Sequence, residues 1–164
     1  MKTLLILRHA KTQPDAPAGD HARELTERGH RNAAAMGAYI HNRGGTPGAI
    51  ITSDATRALQ TAEIIAPTVG FAGSLTVEPR IYGANVATLL ALVRSILDTA
   101  DTAMIVGHNP AFEELAEALA ADHDEGVRLP TAGLAIVEFD VDRWDAVRQG
   151  TGRLREVATP RTIA

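Results

Sequence analysis

Short aliphatic runs alternate with stretches of helical period along this chain, and that alternation restricts it to a sheet built from crossover connections. Thr3–Leu7 reads as the first strand. After the polar, Pro-rich stretch TQPDAPAGDHAREL, Thr26 caps a helix whose Ala33, Met36, Gly37 and Ile40 share one face, and Gly44–Gly45 stop it. Ala49–Thr52 is a second strand, followed by a helix from about Thr56 to Val69 with Leu59, Ala62, Ala66 and Val69 facing inward. Leu75–Val77 reads as a third strand. Val86, Leu89, Leu90, Val93 and Leu97 fall at helical spacing, and Ala103–Val106 is the next strand. Pro110 then sits in the first turn of a helix carrying Phe112, Leu115, Ala116 and Leu119. The last part changes character: Leu134–Phe139 and Leu154–Ala158 read as strands antiparallel to each other at one side of the sheet, joined by DVDRWDAVRQGTG with no helix between them.

No repeat, low-complexity segment or linker divides the 164 residues, so a single domain spanning 1–164 is expected, long enough to bury roughly two-thirds of the surface of the unfolded chain. The chain has no cysteine, which excludes thiol nucleophiles, thiolate zinc sites and disulfides. A net charge of −4 with acidic and basic residues mixed throughout gives no basic stripe for a nucleic-acid backbone. Leu4 to Leu7 are too few consecutive aliphatics for a secretion signal or a membrane span. The expectation is a cytoplasmic protein with neither nucleic acid nor membrane as partner, its oligomeric state left open.

Three of the strands run straight into polar residues. Arg8 and His9 follow Leu7; Ser53, Asp54 and, in the first turn of the next helix, Arg57 follow Thr52; Gly107, His108 and Asn109 follow Val106. Ligands of open α/β sheets bind beyond the carboxyl ends of the strands, where helix N-termini also present unpaired N–H groups. Two arginines and two histidines meeting there suit a phosphoryl group. Arginine stays charged and its planar fork matches phosphate oxygens, so two of them hold a dianion and offset the charge that develops as phosphorus changes partners. A histidine of ordinary pKa, near 6.5, is largely neutral near pH 7, so one ring nitrogen can attack phosphorus while a second histidine donates to an equatorial oxygen. Each residue also has a plainer reading: an arginine at a strand end is commonly solvated or salt-bridged, Asp54 is a cap or turn residue, and Pro110 is a helix starter. Their joint placement at one edge of the sheet favours the site.

The segments LRHAKT, SDATRALQTAE and VGHNPAFEELAE, in that order, resemble the histidine phosphatase superfamily, whose hallmark is an Arg-His pair after the first strand. Ala10 after His9, the short chain and the VGHNP form resemble its SixA-like phosphohistidine phosphatases. The resemblance runs from about residue 3 to residue 120. It implies the phosphoglycerate mutase-like fold, an α/β three-layer sandwich with a mixed, mostly parallel sheet and helices on both faces, in agreement with the periodicity. It further implies that His9 is the nucleophile that becomes phosphorylated and that Arg8, Arg57 and His108 surround the phosphate, with Thr12 supplying a hydroxyl and Asn109 a further donor. It implies neither cofactor nor metal, and as substrate a phosphorylated protein or a small phosphate compound.

Two positions depart from the family pattern. Many relatives carry an acid for the leaving group, often a glutamate shortly after the third strand; here the stretch is VEPRIYGAN, with Arg80 about where the acid is expected and Glu78 the nearby carboxylate. Asp15 stands where relatives often have an asparagine lining the pocket, and a carboxylate there repels a phosphate unless it points away. A weak acid favours phosphohistidine as substrate, because a phosphorylated imidazole leaves as a nearly neutral ring whereas an alkoxide needs a proton. Water then displaces the phosphoryl group from His9, and activity is expected to fall toward pH 5 as His9 protonates. The other readings are a phosphomonoesterase acting on a small ester or phosphoglycerate, a silent phosphoprotein-binding module, which would not require a nucleophile at that point, and a metal hydrolase. Against the last, His21, His30, His41 and His123 lack an HExxH or similar spacing and read as solvated or structural.

Overall fold

The computed structural model describes residues 1–121 and 126–164. Strand β1 (Lys2–Arg8) is followed by α1 (Glu27–Asn42), β2 (Ala49–Thr52), α2 (Thr56–Thr68), β3 (Thr76–Val77), α3 (Val86–Arg94), β4 (Thr102–Gly107), α4 (Ala111–Leu119), β5 (Leu134–Phe139), β6 (Arg153–Ala158) and the short α5 (Pro160–Ile163). The strands form a six-stranded sheet in the order β3-β2-β4-β1-β5-β6. Strands β1 to β4 run parallel; β5 is antiparallel to β1, and β6 antiparallel to β5. This is the mixed, mostly parallel α/β sandwich anticipated from the sequence.

Strand β1 lies inside the sheet because every side chain from Leu4 to Leu7 is apolar, so both of its faces can be covered. Leu4 and Ile6 enter a core shared with Leu89, Leu92 and Val93 of α3 and Phe112 and Leu115 of α4. Leu5 and Leu7 enter the opposite core, with Met36 and Ile40 of α1 and Ala62 and Ile65 of α2. Burying four such side chains, at about 1.5–3 kcal/mol each, makes β1 the strand that holds both helical layers to the sheet.

Local signals explain the ends of the elements. The Thr26 hydroxyl accepts the Gly29 N–H at 3.0 Å and starts α1, and Gly44, with φ 74°, turns the chain after it. The inner face of α2 is Ala58, Ala62, Ile65 and Ala66, with Val69 buried just beyond; Leu59, expected to face inward, is half-buried one position around the helix. Helix α3 stops at Arg94, and the Ser95 hydroxyl closes its last turn on the Leu92 carbonyl at 2.7 Å. Leu97 therefore lies past the helix and is 76% exposed, although its spacing matched the buried stripe. Strand β3 is only two residues long, both exposed. Single helical turns at Asp20–Ala22, Pro79–Ile81 and Trp144–Ala146 break connections that carry no periodicity, the last within the β5–β6 connection expected to lack a helix.

Register brings the polar strand ends to one level. Arg8 lies opposite Gly107, and Thr52 opposite Val106. Beyond them the His9 N–H donates to the Gly107 carbonyl and the Ser53 N–H to the Val106 carbonyl, each at 3.0 Å.

Candidate active site

His9 is 6% exposed, and its Nδ1 lies 2.8 Å from the backbone carbonyl of Ala10. A carbonyl only accepts, so Nδ1 carries the ring proton and Nε2 keeps its lone pair. Burial first, and then the neighbouring His108, Arg57 and Arg8, push the His9 pKa down from 6.5 to about 3, against the opposing pull of the Ala10 carbonyl. The ring of the unliganded protein is thus neutral at pH 5, and the loss of nucleophile expected there from an ordinary imidazole does not apply.

The loop after β1 is fastened to the helix that carries Arg57. Buried Thr61 accepts the Ala10 N–H at 3.0 Å and donates to the Arg57 carbonyl at 2.7 Å. Arg57 is 7% exposed; its terminal nitrogens donate to the Asp20 carbonyl at 2.8 Å and to Asp20 Oδ2 at 3.1 Å. Arg8 donates to the Leu129 carbonyl at 3.1 Å, which also accepts Asn109 Nδ2 at 2.8 Å. The ring of His108 stands 5.4 Å from that of His9, with Nε2 at 2.8 Å from Ser53 Oγ. Burial and then Arg57 lower the His108 pKa to about 4.

These side chains line a cleft of about 550 Å³ that holds Arg8, His9, Thr12, Arg57, His108 and Asn109, every residue expected at the site, together with Lys11 and Arg23. Arg8 Nε, Arg57 Nε and His108 Nδ1 are buried without a hydrogen-bond partner among the described residues. Leaving a buried donor unpaired costs about 1–3 kcal/mol, so the two unpaired guanidinium N–H groups beside the neutral His9 ring suit an oxyanion. One of the two amide hydrogens of Asn109 is used on the Leu129 carbonyl, which leaves one for a phosphate, and its acceptor Oδ1 is buried without a partner among the described residues. The Thr12 hydroxyl accepts Arg23 at 2.6 Å.

The carboxylates sort clearly. Glu78 accepts the Arg80 backbone N–H at 3.0 Å and its guanidinium at 2.9 and 3.2 Å, and neither residue lines the cleft. The Arg80 contacts hold Glu78 below its ordinary pKa, the wrong direction for a proton donor at neutral pH. Asp15 is exposed and away from the cleft lining. Asp20 is a carboxylate beside the site: it accepts Tyr82 Oη at 2.6 Å, Arg23 at 2.9 Å and Arg57, and these partners hold it far below the usual carboxylate range. His30 and His41 are exposed on α1, His21 meets Asp54 at 2.9 Å, and His123 lies outside the described residues. Among the described residues no group of three or more His, Asp or Glu is placed to share a metal ion. Sequence reasoning missed Asp20, Arg23, Thr61 and Tyr82. The first two sit in an aperiodic stretch where only their charge was visible.

The sequence profile of the histidine phosphatase superfamily (branch 1) matches residues 4–82. An uncharacterized protein of Mycobacterium tuberculosis is 31% identical over 163 residues, covering 94% of this chain and 100% of the relative. The chain belongs to the histidine phosphatase superfamily. Within it the likeness is to SixA: a putative phosphohistidine phosphatase SixA from Agrobacterium tumefaciens superposes with a TM-score of 0.79 at 28% identity, over 97% of this chain and 98% of that one. The protein histidine phosphatase SixA solved with tungstate gives a TM-score of 0.86 over 99% of both chains at 21% identity, a likeness of fold.

Proposed function

We propose that this histidine phosphatase acts on phosphohistidine displayed by a protein, through a phosphorylated His9. The observation that carries the reading is the buried, neutral His9 with its Nε2 lone pair free, set beside the unpaired guanidinium N–H groups of Arg8 and Arg57 and the unpaired Nδ1 of His108. In the first step His9 Nε2 bonds to phosphorus as the P–N bond to the substrate ring breaks. The substrate ring, protonated on its far nitrogen, leaves as neutral imidazole with the electron pair of the broken bond. The Ala10 carbonyl accepts from the phosphorylated His9 ring, which is cationic at this stage, and the arginines offset charge on the phosphoryl oxygens. In the second step water adds to phosphorus, the pair of the breaking bond returns to Nε2, and the water protons stay with the released phosphate and solvent. Neither step calls on a metal.

The pairing of Glu78 with Arg80 supports phosphohistidine over esters, because among the described residues no carboxylate lines the cleft to protonate an alkoxide. The test is turnover of a phosphohistidine-bearing protein and an aryl phosphate side by side, with His9→Ala as control. Preference for phosphohistidine, lost in His9→Ala while tungstate still binds, is expected. Arg57→Ala should raise the barrier by about 2–4 kcal/mol, as for loss of one oxyanion donor. Aryl phosphate activity alone would move the substrate to small esters, and His9→Ala at native rate would remove the nucleophile assignment.

A further inference from the structure

We infer that Tyr82 and His21 form the seat for the leaving ring of the substrate, so that the site selects a flat nitrogen heterocycle bonded to phosphorus; this deepens, and rests on, the phosphohistidine reading. His9, His108, Tyr82 and His21 make a continuous row of rings, with centroids 5.4, 5.5 and 4.9 Å apart. The first pair is tilted at 52°, and the next two meet edge to face at 89° and 74°. Exposure rises along the row: His9 is 6% exposed, His108 half-buried, Tyr82 39% exposed, and the His21 side chain 47%. A phosphoryl group attacked by His9 carries its leaving group in line on the far side. With the nucleophile at the buried end, that side is toward solvent, the direction in which the row opens.

Neither outer ring lines the cleft itself; both stand beside it, joined to it through His108, and each is held by a hydrogen bond. The Tyr82 hydroxyl donates to Asp20 Oδ2 at 2.6 Å, the oxygen that also receives Arg57, and the Arg57 guanidinium carbon lies 5.9 Å from the centre of the Tyr82 ring. His21 Nε2 is 2.9 Å from Asp54, the residue after the Ser53 that contacts His108. Phosphate side and ring side therefore share one hydrogen-bonded frame. An exposed tyrosine tied down at its tip offers flat apolar area while little side-chain freedom remains to be lost. An imidazole can pack against such a wall, whereas a ringless leaving group such as ammonia gains nothing from it.

The experiment compares kcat/KM for phosphohistidine and for phosphoramidate, which shares the P–N bond without the ring, in wild type, Tyr82→Leu, Tyr82→Phe and His21→Ala. The ratio of the two is expected to fall about tenfold in Tyr82→Leu, at the low end of what one stacked ring is worth. It should fall in the same direction in His21→Ala, and fall less in Tyr82→Phe, which keeps the ring and loses only its tie to Asp20. Each variant is read against its own phosphoramidate rate, so partial unfolding does not move the ratio; if Tyr82→Leu is inactive, His21→Ala, at an exposed side chain, carries the test. A ratio unchanged in the ring-deleting variants, with wild type active on both compounds, overturns the ring seat and leaves the phosphatase reading standing. Wild type inactive on phosphohistidine overturns the two together.

Discussion

At His9 one ring nitrogen is committed to the Ala10 carbonyl, and what remains is a neutral ring enclosed with cations. That enclosure has a sign in solution. In the unfolded chain the imidazole takes up a proton below about pH 6.5, and in the folded protein only near pH 3. Between those values unfolding binds a proton, so acid favours the unfolded state, and stability is lost as pH falls from 6.5. At pH 5 the loss from His9 alone is roughly 1–2 kcal/mol. Thermal denaturation of wild type and His9→Gln between pH 7 and pH 5 checks this, the variant showing the weaker dependence; equal slopes would mean that the folded ring is not held neutral. Ser53 is the corresponding support for His108, and Ser53→Ala should lower kcat/KM by about tenfold, the upper worth of one ordinary hydrogen bond that orients the ring, with little change in KM. Arg8, His9, Arg57 and His108 were legible in the sequence because each sits at a strand end or in a first helical turn. Tyr82 and Asp20 were not: their contact spans 62 residues, and no local pattern encodes it.

Among the elements, α1 is placed by an absence. A Cβ on Gly29 would come within 2.1 Å of the Lys11 carbonyl, which also accepts the Thr26 N–H at 2.9 Å. The first turn of α1 thus abuts the loop that carries Lys11 and Thr12 into the cleft. Backbone cannot step aside as a side chain does, so Gly29→Ala should destabilise by about 1–3 kcal/mol and lower activity beyond what the loss of folded protein explains. Denaturant midpoints beside specific activity corrected for folded fraction measure the two effects. Helices with a long apolar stripe and strands with an aliphatic run were read correctly as elements, Leu59 and Leu97 apart, because burial dictates their pattern. Strand β3 and the Asp20–Ala22 turn bury almost nothing, so their residues carried no such pattern, and Asp20, which holds Arg57 and Tyr82, stayed hidden.

Across the described residues, two cores lie on opposite faces of one sheet, and β1 contributes to both. Trp144, the single tryptophan, is fully buried in the α3–α4 core with its ring N–H on the Ala100 carbonyl at 2.7 Å. Leu5 lies in the other core. If the strands couple the layers, Trp144 fluorescence and far-UV circular dichroism should report one midpoint, and Leu5→Ala should shift both together by about 2–5 kcal/mol. Fluorescence unmoved by Leu5→Ala would mean that the layers unfold apart. The ends of the sheet carry a different consequence. One end is the two-residue β3, and at the other Arg153 and Arg155 of β6 both pair with Glu138 of β5, while Glu156 pairs with Arg43. A strand from another molecule would find little backbone at the first end and a strand crowded with charged side chains at the second, an arrangement that discourages copies of this protein from adding edge to edge when crowded.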